Sequence, residues 1–308
     1  MIIQIDDLNR ELVRNPAAFA MAVNAAYDKR IEGLARDIFA HRQEHPIVLI
    51  AGPSGSGKTT TALKLEQLLD SWGCSTHTLS MDNYFAPFSP EEHRLAARGG
   101  IDLESPARVD ADLLNSQLRD MIAGKPVSLP KYDFATSSRL FPGNILTRKS
   151  GELVIIEGIH ALNPEVITLD EGHAARLYIS VRTRVTDGTV VLHPSRIRLL
   201  RRMARDRLYR SRSIEETMLL FDNVERGEAR YIMPHKHRAT HEIDTFFDYE
   251  IAAYRPLLLR DLLALPEEER APIGDLVRIL EHSAPMRQSD IPKESMIREF
   301  IGNGQFAY

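Results

Sequence analysis

What this chain lacks narrows its reading first. Its 308 residues include one cysteine, Cys74, and one tryptophan, Trp72. A single thiol excludes an intramolecular disulfide framework and fits a reducing, cytoplasmic setting. No apolar run approaches the roughly 18 residues of a membrane span. Met1 to Arg10 has neither the basic start nor the apolar core of a secretory leader. A large excess of one charge is missing too, and the net charge of −4 argues against a general nucleic-acid binder. There is no internal repeat and no low-complexity tract. With 43% apolar residues, the chain can still bury a substantial core.

What is present centres on Pro46 to Leu69. Pro46-Ile47-Val48-Leu49-Ile50-Ala51 is a short β-branched apolar run, the pattern of a buried strand. Gly52-Pro53-Ser54-Gly55-Ser56-Gly57-Lys58-Thr59 follows as a complete G-x-x-x-x-G-K-[ST], and Thr60 to Leu69 has helical apolar spacing. A polyphosphate is a dense anion. Glycines let backbone N–H groups wrap it, and a helix N-terminus adds partial positive charge. Lys58 would reach the β- and γ-phosphates and Thr59 would hold Mg²⁺. Gly52 through Thr60 are therefore the candidate residues for binding ATP.

The rest of the chain reads as alternating strands and helices. Residues 1–45 form a helical arm that starts at Asn15-Pro16, an N-cap followed by a proline. Its stripe of Phe19, Val23, Tyr27, Ile31, Leu34 and Ile38 packs against the domain or against a partner subunit, which leaves a homo-oligomer open. Further strands are expected at Thr76–Met81, Leu153–Ile156, Arg176–Val181 and within residues 240–248. Helices are expected at Ala111–Ile122 and Tyr249–Ala264. The turn-rich stretch at about 84–150, with Gly99-Gly100 and several prolines, is read as a substrate-covering insertion. These elements predict an α/β P-loop NTPase with a doubly wound, mostly parallel sheet flanked by helices. The P-loop domain would span 46–264, with an arginine-rich lid at about 195–232. Residues 265–308 read as a linker and a polar tail.

Phosphoryl transfer needs positive charge around the moving group, a metal, and a base for the acceptor's proton. Asp82 lies beyond the carboxyl end of the second strand, where open parallel sheets bind ligands. Either base or Mg²⁺ ligand suits it, and an ordinary turn-forming Asp before Asn83 is the bland alternative. Glu157, ending an apolar strand before Gly158, is the natural Mg²⁺ carboxylate. Arg196, Arg198, Arg201, Arg202, Arg205, Arg207, Arg210 and Arg212 crowd Ser195–Arg212. A solvated helix is the bland alternative. Arg198, Arg202 and Arg205 share one helical face, however, which suits a lid that offers guanidinium groups to polyphosphate better than a nucleic-acid surface, because interleaved aromatics are missing. His235, His237 and His241 lack supporting ligands for a metal site.

Taken in order, the phosphate loop, Met81-Asp82-Asn83-Tyr84-Phe85, Ile101-Asp102-Leu103-Glu104-Ser105-Pro106, Lys131-Tyr132-Asp133-Phe134 and Ile155-Ile156-Glu157-Gly158-Ile159-His160-Ala161-Leu162 resemble the uridine kinase/phosphoribulokinase family. With Arg201–Arg212, the resemblance covers roughly residues 46 to 262. The tail at Ile291–Gly302 also resembles that of bacterial uridine kinase-like proteins. The resemblance implies ATP- and Mg²⁺-dependent phosphorylation of a nucleoside, with uridine first. It implies Asp82 as base, Asp102 on the ribose hydroxyls, Tyr132 and Phe134 around the base, and Glu157 on Mg²⁺. Arg202 and Arg212 would face the nucleoside, and Arg205 and Arg210 the phosphates. One departure is Ser137, which stands where the family's pyrimidine-reading histidine is expected. Three alternatives remain open. One is a kinase of the same fold acting on a sugar phosphate, pantothenate or glycerate. Another is a GTPase-type switch, against which stands the absence of any Asn-Lys pair for an N-K-x-D motif. The third is a polynucleotide kinase, whose binding would weaken steeply with salt.

Overall fold

The computed structural model describes residues 1–96 and 100–306, so Gly99 of the expected turn lies outside the described residues. Five strands form the central sheet: β1 (Ile47–Ala51), β2 (Thr76–Ser80), β3 (Leu153–Glu157), β4 (Ala174–Ser180) and β5 (His241–Asp244). Their order is β5-β4-β1-β3-β2, and every neighbouring pair is parallel. Alternation along each strand splits the core in two, because successive side chains point to opposite faces. Val48, Ile50, Leu153, Ile155, Leu177 and Ile179 belong to one apolar cluster. Ile47, Leu49, Ala51, Val154, Ile156 and Tyr178 belong to the other. A sheet buried on both faces must be apolar throughout, which is why β1 and β3 read as unbroken hydrophobic runs.

On the first face lie α1 (Pro16–Ala40), capped by Asn15, and α2 (Lys58–Ser71), the helix after the phosphate loop. Tyr27, Ile31, Leu34 and Ile38 of the predicted stripe are buried there, with Phe19 and Val23 partly so. The second face is covered by α3 (Ala111–Ile122), from the turn-rich insertion. The remainder of that insertion carries short antiparallel pairs, among them Lys131–Asp133 with Ser138–Leu140. Back on the first face, α4 (Pro194–Tyr209) carries the arginines and α5 (Ile214–Gly227) follows, opened by a Ser213/Glu216 capping box. Next come α6 (Glu250–Ala264) and α7 (Gly274–His282).

Residues 265–271, read as a linker, contain a helical turn at Glu267–Arg270. One expectation needs correction. The stretch read as a polar tail is part of the core: Ile291, Met296, Ile297, Phe300 and Ile301 are all buried in the first cluster. Its apolar residues are too few to show a period. They become core because Ile297, Phe300 and Ile301, three and four residues apart, share one face of a short helix (Arg298–Ile301).

Candidate active site

Register brings the acidic candidates together. Glu157 pairs with Ile50 on one side and Ser80 on the other, so β1, β3 and β2 end at one level. The phosphate loop leaves β1 there, Glu157 closes β3, and Asp82 sits in a single 3₁₀ turn (Met81–Tyr84) after β2. That turn is started by the Ser80 hydroxyl, which accepts from the Asp82 N–H at 3.4 Å.

The loop's glycines are required by space as well as by backbone angle. Gly52 has φ 155°, and a Cβ on it would collide with the Ile179 carbonyl of β4. Gly57, at φ 87°, would drive a Cβ to 2.7 Å from Met296 Sδ. Lys58 reaches back to the Pro53 carbonyl at 3.4 Å. Ser56 Oγ is fully buried with no hydrogen-bond partner among the described residues, an orphaned polar atom inside the cradle.

Burial pushes the Glu157 carboxyl up from 4.5 to about 7, against the pull of Lys58 and helped by the negative charge of Asp82. Asp82 is also raised by burial, while Lys58, Arg210 and Arg205 pull it back. Thus two carboxylates, the loop lysine and two lid arginines share one electrostatic neighbourhood. Perturbed groups gathered at a strand end mark a candidate functional site.

The arginines of α4 divide sharply. Arg198 donates to the Ser54 carbonyl at 3.0 Å and pairs with Glu228. Arg201, wholly buried, is bidentate to Glu250 and also donates to the Gly55 carbonyl at 3.0 Å. Arg202 donates to Ser54 Oγ at 2.6 Å. Arg202, Arg205, Arg210 and Arg212 then surround the single carboxylate of Asp206 at 3.8, 3.5, 3.1 and 3.5 Å. Burial together with Arg205 brings Arg202 down to about 10, a sign of crowded like charge. Arg198 and Arg202 both meet Ser54 of the phosphate loop, whereas Arg205 turns to Asp206. Arg198 and Arg201, however, spend their guanidinium groups on the protein itself.

On the acceptor side, Tyr132 is buried and Phe134 exposed, and their rings stand edge to face at 5.1 Å. Phe85, absent from the predicted site, meets Tyr132 at 5.6 Å and Phe134 at 6.2 Å. Asn83 Oδ1 accepts from the Tyr132 N–H and ties this hairpin to the strand end. Ser137 sits in the left-handed region at φ 49°, at the hairpin's turn. Asp102 is exposed and accepts from the Tyr231 hydroxyl at 2.9 Å.

Two groups behind Asp102 were not expected. His160, 1% exposed, holds the Glu104 carbonyl through Nε2 at 2.9 Å. A carbonyl can only accept, so Nε2 carries the proton and Nδ1 is a bare acceptor. Burial, pushing this imidazole down to about 4, keeps it neutral. Its Nδ1 and Glu104 Oε2 are both buried without a partner among the described residues. A third missed group comes from the tail: Glu299 Oε2 accepts from Thr60 Oγ1 at 2.6 Å. All three lie inside stretches that carry the family resemblance, but nothing in those stretches shows what each side chain will meet. Of the histidine trio, His241 lies 3.1 Å from Asp37, and His235 and His237 sit on the turn Met233–Arg238.

Comparison with known proteins gives a consistent picture. The profile of the Phosphoribulokinase / Uridine kinase family matches residues 47–252. A uridine-cytidine kinase 2-B of Danio rerio is 32% identical over 125 residues, 39% of this chain and 47% of that protein. A uridine kinase of Schizosaccharomyces pombe is 35% identical over 167 residues, 54% of this chain and 32% of that one. The chain thus spans less than half the length of these two relatives. A uridine kinase of Staphylococcus epidermidis is 33% identical over 196 residues, 63% of this chain and 84% of that protein.

Proposed function

Because this chain belongs to the Phosphoribulokinase / Uridine kinase family, we propose that it is an ATP- and Mg²⁺-dependent small-molecule kinase that phosphorylates the 5′-hydroxyl of a nucleoside, uridine first. The observation that carries the kinase reading is the shared register of β1, β3 and β2. It sets the phosphate loop, Glu157 and Asp82 at the carboxyl ends of neighbouring strands, with Lys58, Arg205 and Arg210 acting on Asp82.

The residues fit both bound groups. The glycine cradle with orphaned Ser56 Oγ suits a triphosphate, and Glu157, buried beside the Thr59 end of the loop, suits a divalent cation. Thr59 and Glu157 would hold Mg²⁺, which when bound supplies charge neutralisation to the phosphates. Asp82, once ionised, would accept the proton of the acceptor hydroxyl as its oxygen bonds to the γ-phosphorus and the β–γ bridge breaks. Lys58, Arg205 and Arg210 would hold the charge on the transferring group. Such preorganised charge acts mainly in the transition state.

Hydrogen-bond accounting supports a hydroxyl-rich acceptor. Asp102, Glu104 Oε2 and His160 Nδ1 are acceptors, and the last two lack donors among the described residues. A sugar diol brings the donors they want. The same accounting favours the second reading, a non-nucleoside polyol or sugar phosphate, to an equal degree. The ring cluster Phe85–Tyr132–Phe134 tips the choice towards a flat base. Ser137 is too short to span to a pyrimidine edge, so base preference should be modest.

The test is ADP release with uridine, cytidine, adenosine, inosine and a panel of sugars and hydroxy acids, on wild type and Ser137→His. The expected result is turnover of uridine with modest preference, sharpened towards pyrimidines in the variant. Histidine tolerates the left-handed backbone of that position better than most side chains. Turnover of a sugar or acid with no nucleoside active overturns the nucleoside assignment and leaves the kinase.

A further inference from the structure

The helix that follows the phosphate loop starts without a cap of its own. Its N-cap is Gly57, which has no side chain, so the first-turn N–H groups must find partners elsewhere. One partner comes from 239 residues downstream. Glu299 Oε2 accepts from Thr60 Oγ1 at 2.6 Å and, at a longer 3.4 Å, from the Thr60 N–H. Three residues earlier in the loop, Met296 packs on Gly57.

The segment that carries Glu299 is built as a fixed part of the protein. Met296, Ile297, Phe300 and Ile301 are essentially unexposed and join the main core. Buried Arg298 donates to the carbonyls of Gln288, Ile291, Pro292 and Gly302, at 2.7, 2.5, 3.2 and 3.2 Å, which locks the turn around it. Ser295 Oγ lies 2.7 Å from the Tyr249 hydroxyl, which accepts from Asn24 of α1 at 2.7 Å. From the other side of α2, Tyr27 of α1 meets the Thr61 hydroxyl at 2.8 Å. A displaceable plug would expose its polar residues and pack loosely. This segment does the reverse.

We propose that residues 291–302 are a working wall of the nucleotide site, and that Glu299 is a positioning residue which holds Thr60 and the first turn of α2 in the geometry that receives phosphate. The inference rests on the kinase reading above and adds a residue to it. Since the Thr60 hydroxyl donates to Glu299, it is committed to holding the loop, and its bond to the carboxylate sets where the neighbouring Thr59 and Lys58 stand. A carboxylate placed there also opposes an incoming anion. The arrangement therefore makes sense only if the order it imposes outweighs that repulsion.

The two effects have opposite signs, which makes the experiment decisive. MgATP affinity is measured by calorimetry on the full chain for wild type, Glu299→Ala, Glu299→Gln, Thr60→Val and the Glu299→Ala/Thr60→Val pair, with KM for ATP and acceptor and Tm alongside. Glu299→Ala and Thr60→Val should each weaken MgATP about tenfold and leave the acceptor KM within about twofold. The pair should be no worse than either alone, as expected of two groups joined by one bond. Glu299→Gln, which keeps an acceptor oxygen, should return affinity to within about threefold of wild type. Unchanged or tighter MgATP binding by Glu299→Ala, or additive losses in the pair, overturns the proposal. Wild-type protein that does not bind MgATP at all sinks the kinase reading and this inference together, whereas wild-type binding with an indifferent Glu299→Ala sinks this inference alone. Should Glu299→Ala not fold, Glu299→Gln and Thr60→Val still decide it through the ratio of the two KM values.

Discussion

In α4, Arg198 and Arg201 each meet a carboxylate of their own, Glu228 and Glu250. Within the next turn and just beyond it, Arg202, Arg205, Arg210 and Arg212 converge on Asp206 alone. One-to-one pairing in a dry interior is a cross-link: each charge is repaid by its partner, and neither is left for a ligand. Four guanidinium groups share the one carboxylate they pair with, and the next acids they feel are Asp82 and Glu104, so positive charge is in excess around Asp206. Residue type is the same in both sets. What separates them is the stoichiometry of their partners, and on the proposed kinase reading it is Arg202, Arg205, Arg210 and Arg212 that would face substrate.

The widest gap should come from the acid that faces the surplus. Asp82→Asn removes the proposed base while leaving the arginines in place, and kcat should fall by roughly 10²–10⁴ with little change in MgATP affinity. An effect confined to the ATP KM would make Asp82 a nucleotide or metal ligand. Next in size is the cross-link. Arg201→Ala strands Glu250 as a buried charge and should cost about 3–5 kcal/mol of stability, read by denaturant melts. Retention of wild-type stability would break the distinction between the two sets.

The acidic side offers a matching contrast. Glu250 has a permanent cation, whereas burial lifts Glu157 from 4.5 to about 7. Between those values folded Glu157 keeps a proton that the unfolded chain releases, so its contribution to the stability of the metal-free protein falls as pH rises through this window, while buried His160, held neutral, contributes in the opposite sense. The loss should reach about 3 kcal/mol above pH 7. Glu157→Gln should remove this contribution, melting higher than wild type at pH 8 without Mg²⁺, while turnover falls. Parallel melting curves from pH 5 to 8 for the two proteins would refute the assignment. Smaller again, Arg205→Ala and Arg210→Ala should each reduce kcat about tenfold or more, roughly 1.4 kcal/mol, with Tm nearly unchanged. The smallest change belongs to Arg207, which is half exposed and paired with Asp261 on the outer side of α4. Arg207→Ala should alter stability by less than about 1 kcal/mol and leave kcat alone. Equal, slight kinetic effects at Arg205, Arg207 and Arg210 would return the whole helix to a solvated, structural role.

Much of this was legible along the chain because it is local. The strand–loop–helix around Gly52–Thr59, the all-apolar strands and the Asn15-Pro16 helix start each depend on residues adjacent in sequence, where propensity and period act directly. Asp82 and Glu157 could be named from their positions after strands, since parallel sheets bind ligands at those ends. Other features depend on groups that meet only after folding. Nothing near Ile297-Arg298-Glu299-Phe300 indicates that Glu299 will bond Thr60, or that a polar-looking tail will fill the core. His160 becomes a bare acceptor only because the Glu104 carbonyl, 56 residues earlier, takes its one proton. Which arginines are spent and which are in surplus was likewise beyond any spacing rule, because the deciding carboxylates, Glu228, Glu250 and Asp206, stand on three different segments. Local sequence determined the elements and the phosphate loop. Long-range burial decided the partners of each charge, because desolvation forces a buried group to be paired by whatever the fold brings within reach.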